Sequence, residues 1–335
     1  MERRLRGTAS EKILLYDYLR LELGLTKKQI RQVKFHDPGI LVNGEPCRVT
    51  WMLDPGDVVE VDVEGSAEPK PLALNPTPVD ILYEDEDLIA VNKPAGVPSH
   101  PGGIHQTDTL VNMLMYYFHE KGESLVVRPA GRLDKETSGV ILFSKNQAAA
   151  GRLVKQRERK LFQKEYLAVA AGRLPGAGGT NHCSEEWHTI EAPIRRDPDN
   201  ACRVLIREDG KPAVTRYQIL YAGEDRSWAR VRIETGRMHQ IRIHMAHIGH
   251  PLLGDPLYGS DPHNYTPLQE QQSTGEQAWE KEPVMIPRTA LHASCLRFFQ
   301  PFTGEEICLR APLPEDMRRL LPEDSEEAAV QSFCI

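Results

Sequence analysis

The sequence predicts an α+β protein with a mixed, largely antiparallel sheet and flanking helices, preceded by a small separate module. Three observations carry this. Short β-branched and aromatic runs bounded by turn residues recur from residue 79 to residue 310. Helical periodicity is confined to a few stretches between them. A Pro- and Gly-rich segment, residues 64–78, divides all of this from residues 1–63.

In the first module, Leu14, Tyr18, Leu21 and Leu25 recur at helical spacing. Thr26 with Gln29 forms a capping box that opens a second helix. Ile30 and Val33 make its apolar side, while Lys27, Arg31 and Lys34 fall at i, i+4 and i+7 as a basic stripe. Asn43-Gly44 is a two-residue hairpin turn, and Asp54-Pro-Gly-Asp57 delivers the alternating strand Val58–Val63. Residues 64–78 follow as a semi-extended linker carrying Pro69, Pro71, Pro76 and Pro78.

The second domain spans residues 79–314. Val79–Tyr83 and Leu88–Val91 pair across the acidic turn Glu84–Asp87 and end in Asn92-Lys-Pro-Ala-Gly96. A helix runs from about Asp108 to His119, burying Leu110, Met113, Leu114 and Tyr117. Val140-Ile-Leu-Phe143 is a buried strand, Asn146–Arg159 a basic helix, and Lys164–Val169 a strand carrying Tyr166. After a Gly-rich loop at Pro175–Thr180 come strands at Ala201–Ile206, Ala213–Tyr221 and Ser227–Glu234, then a helix over 237–248. Residues 260–287 read as a polar, mobile insertion, followed by strands Ala290–Phe299 and Glu306–Arg310. Residues 315–335 read as an acidic tail without assigned structure.

The length of 335 residues suits two domains. No apolar run approaches the roughly 18 residues that span a bilayer, and a charged N-terminus replaces a signal-peptide core, so a cytoplasmic protein is expected, with no membrane partner. Six scattered cysteines without a C-x-x-C pair read as free thiols. The net charge of −7 hides an uneven distribution. Residues 1–50 carry ten Lys/Arg against six Asp/Glu, and residues 152–173 seven against two, whereas residues 261–335 carry six against thirteen. The two basic regions suit a phosphate backbone.

Asp134, in Arg128-Pro-Ala-Gly-Arg-Leu-Asp-Lys-Glu-Thr-Ser-Gly139, sits on a constrained connection just before a core strand. Taken alone it reads as a turn cap or as a catalytic carboxylate. Arg237 and Arg242, near the start of the 237–248 helix beside Gly236, suit a phosphate or carboxylate. His239, His244, His247 and His250 follow the pattern H-x4-H-x2-H-x2-H, which lacks the H-E-x-x-H spacing of a zinc site. No metal is expected; such histidines hydrogen-bond to backbone or phosphate.

G-R-L-D-K-E-T-S-G-V (131–140), followed by T-G-R-M-H-Q-I-R-I-H (235–244) and G-H-P-L-L-G-D-P-L-Y-G (249–259), resembles the RluA family of RNA pseudouridine synthases over residues 79–310. The helices and turns of residues 1–63 resemble an S4 RNA-binding domain, and this order of modules resembles the large-subunit-rRNA branch of the family. The resemblance implies a sheet of the pseudouridine synthase type and isomerisation of uridine to pseudouridine without a cofactor. It implies RNA, most readily 23S rRNA, as the partner of a monomeric enzyme. It further implies Asp134 as the catalytic carboxylate, attacking the sugar or taking a proton from it. Arg242 becomes its ion-pair partner, Tyr166 the ring under the base, Ile241 an apolar neighbour of that ring, and Arg132 a clamp on the flipped-out nucleotide. The N-terminal module, with Lys27, Arg31 and Lys34, and the 152–173 segment would grip phosphates, with Arg237 and His239 as further RNA contacts. The family's motif has His where this chain has Gly131, a feature closer to the sister family acting on small-subunit rRNA. Three other readings stay open: a catalytically silent RNA-binding or ribosome-assembly protein, a tRNA-directed synthase, and a nucleoside hydrolase using the same Asp134.

Overall fold

The computed structural model describes residues 4–25, 27–34, 39–62, 72–176, 186–259 and 286–321. In the N-terminal module, helices Leu15–Leu21 and Lys27–Val33 pack on a four-stranded sheet. Leu15, Leu19, Leu25, Ile30, Val33, Val59 and Val61 form its core. Asn43 (φ 52°) and Gly44 (φ 85°) both take the positive φ of a tight hairpin turn, as expected. The strand Arg4–Thr8, paired antiparallel with Val58–Asp62, is an addition. Its charged sequence leaves Leu5 as its one buried apolar contribution, too little to reveal a period of two. Leu21, expected on the buried face, is 69% exposed because the helix ends there. Thr26, and with it the expected capping box, lies outside the described residues.

This module rests on the helix Gln147–Glu158 of the second domain. Ala148 joins the module's core. The Gln29 amide donates to the Gln147 carbonyl. Arg152 donates to Leu23 O (3.2 Å) and Pro301 O (2.7 Å), and Lys155 to Arg20 O (2.5 Å). Two cations expected to grip phosphates are therefore engaged in holding the two domains together, a correction to the reading of residues 152–173. Carbonyls at a helix end accept well from a cation, which a charge count cannot distinguish from a ligand site.

The second domain is built on a ten-stranded sheet. Its strands run in the order Trp187–Glu191, Val214–Ala222, Arg226–Ile233, Gln163–Ala171, Leu291–Phe299, Ser138–Ser144, Leu88–Lys93, Ile81–Glu84. Glu306–Arg310 pairs with Leu291–Phe299, and Arg128–Pro129 with Ser138–Ser144. Among the described residues the registers are antiparallel except one, where Ser138 and Gly139 lie parallel to His292 and Ala293. Gly139 (φ 110°) is required there, since a Cβ would fall 2.2 Å from Ala293 O. All seven residues of Ser138–Ser144 are buried, as the apolar run predicts.

The helices fall at Leu110–Glu120, capped by Thr109, and at Gln147–Glu158, capped by Asn146. Phe118 rather than Tyr117 is fully buried; the Tyr117 hydroxyl reaches the Glu84 carboxylate instead. Trp187–Glu191 and Ile194–Arg196 are strands the sequence reading did not assign. The strand expected at Ala201–Ile206 shortens to Val204–Ile206.

The segment expected as a tail from residue 315 is partly structured. Glu315–Arg318 is a helical turn, Met317 and Leu320 are buried beside Trp228, and Arg288 clasps Asp316 at 2.6 and 2.9 Å. The run of charged residues around Met317 hid this, because the apolar surface that buries Met317 and Leu320 comes from distant strands. Residues 322–335, and residues 260–285 of the expected insertion, lie outside the described residues. The described cysteines Cys47, Cys202, Cys295 and Cys308 are free, and no described helix is long and apolar enough to cross a membrane.

Two buried histidines couple this fold to pH. His292, at the parallel junction, bonds Ser138 Oγ (2.9 Å) and Ala311 O (3.3 Å), and burial pushes its pKa down to about 4. Burial likewise pushes His244 to about 4. Both are neutral in the fold but protonate near 6.5 once unfolded, so the unfolded chain binds more protons as pH falls below 6.5. Stability is then lost from about pH 6.5 down to about pH 4, at up to about 1.4 kcal/mol per pH unit for each histidine. Urea unfolding at pH 7, 6, 5 and 4.5 should show this decline, shallower in His292→Asn; equal slopes in both proteins would contradict it.

Candidate active site

The site grows from two loops that the sheet brings together. The first follows Arg128–Pro129 and reverses at Asp134, whose carbonyl accepts from Thr137 N (3.1 Å) before the chain enters Ser138–Ser144. The backbone on either side of Asp134 is pinned. Leu133 exchanges two hydrogen bonds with Ser99: its carbonyl accepts from Ser99 Oγ (2.7 Å) and its N–H donates back at 3.3 Å. Lys135 O accepts from Lys93 Nζ (2.9 Å) and Gly96 N (2.9 Å). Lys93 is fully buried and also donates to Pro94 O (2.8 Å) and Val97 O (2.7 Å). Burial lowers its pKa to about 7, although Glu136 and Asp134 pull the other way. The sequence reading took Asn92-Lys-Pro only as a strand end. A lysine continuing the buried run Leu-Ile-Ala-Val was the available signal, because a buried ammonium needs several acceptors.

The second loop carries the arginine. The helix is Gln240–His247, shorter than the expected 237–248, because His239 takes a left-handed conformation (φ 50°). Arg237 therefore stands outside it. Its N–H donates to Gln240 Oε1 (3.1 Å) and its Nε to Pro212 O (3.1 Å), so the free helix-start N–H groups expected beside Gly236 are absent at this position. Gln240 fixes the corner by accepting from Thr235 Oγ1 (2.8 Å) and donating to Val214 O (2.9 Å).

Arg242 is buried and makes a two-pronged pair with Asp255, Nε–Oδ2 and Nη2–Oδ1 both 2.7 Å. Its Nη1 lies 3.8 Å from Asp134 Oδ2. Asp134 is thus the looser partner, and Asp255, unassigned by the sequence reading although it sits in the Gly254-Asp-Pro-Leu-Tyr-Gly259 motif, is the principal one. Asp255 Oδ1 also accepts from Leu257 N (2.9 Å) and Tyr258 N (3.2 Å), which fixes the carboxylate in place. Burial alone would lower the arginine's pKa; the Asp255 hydrogen bonds and charge, with Asp134 adding, raise it instead. The Tyr258 ring lies under the guanidinium at 5.2 Å, and its hydroxyl accepts from Val204 N (3.0 Å) and meets His239 Nδ1 (3.0 Å).

Together the loops line a cleft of about 810 Å³. The structure brings Arg132, Asp134, Tyr166, Arg237, His239, Ile241 and Arg242 to it. Tyr166 and Ile241 are buried walls sharing one core. Burial, then the Asp134 charge, pushes the Tyr166 hydroxyl far above its ordinary range, so it stays protonated. Arg132 is exposed at the rim near His100, whose pKa falls through burial and then through that arginine. Arg157 and Lys164 also line the cleft and were not singled out from the sequence. Lys27, Arg31 and Lys34 lie elsewhere, exposed on the N-terminal module. The four histidines are dispersed: His244 donates to Ala192 O (3.0 Å), His250 to Ala171 O (2.9 Å), and His247 sits in the core.

The Arg242–Asp255 pair sets a clear expectation. Asp255→Asn leaves a buried guanidinium without its counter-charge, costing about 3–5 kcal/mol. Urea unfolding checks this, with Arg242→Met/Asp255→Asn recovering part of the loss; a single variant within 1 kcal/mol of wild type would refute it.

Comparison with known proteins agrees with this architecture. A family profile described as RNA pseudouridylate synthase matches residues 87–247, which contain Asp134, Tyr166 and Arg242. The uncharacterized RNA pseudouridine synthase YjbO of Bacillus subtilis is 34% identical over 300 residues, covering 90% of this chain and 95% of the relative. Ribosomal large subunit pseudouridine synthase D of Escherichia coli (strain K12) is 36% identical over 290 residues, covering 85% and 82%. The solved structure of human RNA pseudouridylate synthase domain containing 1 superposes with a TM-score of 0.52 at 25% identity, covering 77% of this chain and 96% of that one. With the cleft geometry and these relatives in agreement, the chain belongs to the RluA family of RNA pseudouridine synthases, enzymes that isomerise uridine to pseudouridine in RNA.

Proposed function

We propose that this enzyme acts on uridine in large-subunit (23S) rRNA and that Asp134 is its catalytic carboxylate. The observation that carries the second point is the placement of Asp134. It is a carboxylate on a loop pinned from both sides, side chain 28% exposed, lining the cleft with a guanidinium at 3.8 Å and a tyrosine wall beside it. The named function of the 36%-identical Escherichia coli relative supports the choice of rRNA.

The reaction breaks the N1–C1′ bond of the uridine, turns the uracil and joins its C5 to C1′; C5 loses its proton, N1 gains one, and the composition is unchanged. Asp134 either attacks C1′, forming a sugar ester that the returning uracil displaces, or removes the C2′ proton, which is later returned. In both routes Arg242 steadies the carboxylate, and because Asp255 holds the guanidinium bidentately it need not reorganise during the reaction. Tyr166 and Ile241 offer the detached uracil an apolar face on which to turn without drifting away. Arg132 at the rim holds the extruded nucleotide, and Arg237 and His239 meet its neighbours. The exposed Lys27, Arg31 and Lys34 of the S4-like module supply a second grip on phosphates.

RNA from a strain lacking this protein, labelled with tritium at uracil C5, tests the reading. Tritium should be released from the large-subunit rRNA fraction at constant chain mass, and Asp134→Asn should slow release by at least about 100-fold. Release from tRNA alone would redirect the target, free uracil would indicate hydrolysis, and binding without release would indicate a silent binding protein. Replacing Lys27, Arg31 and Lys34 by Gln together should weaken RNA binding and flatten its dependence on log salt by about two to three units; an unchanged slope would remove the module from RNA recognition.

A further inference from the structure

Lys164 is the second residue of the strand Gln163–Ala171, which carries Tyr166. Two residues apart on a strand, the two side chains share one face, and both line the cleft. Lys164 is half-buried and makes no hydrogen bond or ion pair with any described residue, a costly state for an ammonium. Its berth is the bare backbone of Gly131, where a Cβ would lie 3.2 Å from Nζ and 3.8 Å from Cε. Gly131 is not in the left-handed region, so its backbone does not require glycine; a Cβ there would push the ammonium aside by a few tenths of an ångström. The ammonium therefore rests against the residue before Arg132, three before Asp134.

Its charged surroundings do not neutralise it. From the helix Gln147–Glu158 and its end come Arg157 and Glu158, from the Asp134 loop Arg132 and Asp134, and from the strand ends Arg196 and Glu234. Glu234 is taken by Lys160 and Arg216, and Asp134 faces Arg242. Burial and the nearby Arg157 lower the Lys164 pKa to about 8. Two cations kept side by side in a cleft, with an excess of positive charge around them, are stabilised when an anion enters. In an enzyme acting on RNA that anion is a phosphodiester.

We propose that Lys164, with Arg157, holds the phosphodiester group next to the uridine being converted, and that Gly131 is the gap that admits the ammonium. Lys164 is a substrate-positioning residue. This rests on RNA as the substrate and is independent of which RNA is modified.

The test uses the full-length enzyme and C5-tritiated total RNA from cells lacking it, so that rRNA and tRNA targets are both represented. Lys164→Met should lower kcat/KM by roughly tenfold and reduce its slope against log salt by about 0.7–0.9. Wild-type kcat/KM should fall above about pH 8 as the ammonium deprotonates, and Lys164→Arg, permanently charged, should keep the salt slope and show a shallower fall, leaving only the part that follows Lys93 beneath the Asp134 loop. Gly131→Ala should depress kcat/KM in the wild-type background but cause little further loss in Lys164→Met. A purely structural lysine would leave the salt slope unchanged. An unchanged salt slope in Lys164→Met, or an alkaline fall in Lys164→Arg as steep as in wild type, would overturn the proposal.

Discussion

The two-pronged pair between Arg242 and Asp255 is the constraint on which the rest of the site depends. A buried guanidinium is tolerable only when its charge and its donors are met, and Asp255 meets them while also accepting from the backbone of Leu257 and Tyr258. The pair thereby fastens the helix Gln240–His247 to the 255–258 turn. It leaves Nη1 free to face Asp134 at 3.8 Å. An arginine shared with a second, tighter carboxylate cannot collapse onto Asp134, so Asp134 keeps its place on the cleft while its counter-charge stays beside it.

The same economy of position governs the Asp134 loop. Ser99 holds the carbonyl before the aspartate and Lys93 the carbonyl after it. Gly139 then allows the chain to pass within contact of Ala293 and become the strand at the parallel junction. Held from both sides in this way, the Asp134 carboxylate has a fixed position in the cleft. A buried lysine at the sheet's end is a costly device, and its three acceptor carbonyls are what make it sustainable.

Cations in this chain divide by role. Arg152 and Lys155 donate to carbonyls of Leu23, Pro301 and Arg20 and so join the two domains. Arg288 anchors the 315–321 segment through Asp316. Arg132, Arg157, Arg196 and Lys164 line the cleft. An enzyme whose net charge is −7 thus presents a positive cleft to a polyanion, because its acidic excess lies in residues 261–335.

By itself, the sequence determined the α+β class, the buried strand at Val140–Phe143, the helices beginning near Asp108 and Asn146, and the reaction family. Periodicity and capping are local properties, and the motifs around Asp134 and Arg242 are contiguous. What only the tertiary structure decided is which groups meet. Asp255 as the main partner of Arg242, Lys93 beneath the Asp134 loop, and Lys164 against Gly131 are contacts between segments separated by 13 to 42 residues. The strands Arg4–Thr8 and Trp187–Glu191 escaped notice because charged or mixed residues on a sheet edge carry little alternation. The helix over 237–248 shortened because tertiary hydrogen bonds of Gln240 to Thr235 and Val214 outweighed local propensity. Sequence spacing sets what each segment can form alone; the price and reward of burying a charge depend on partners that only the folded chain supplies.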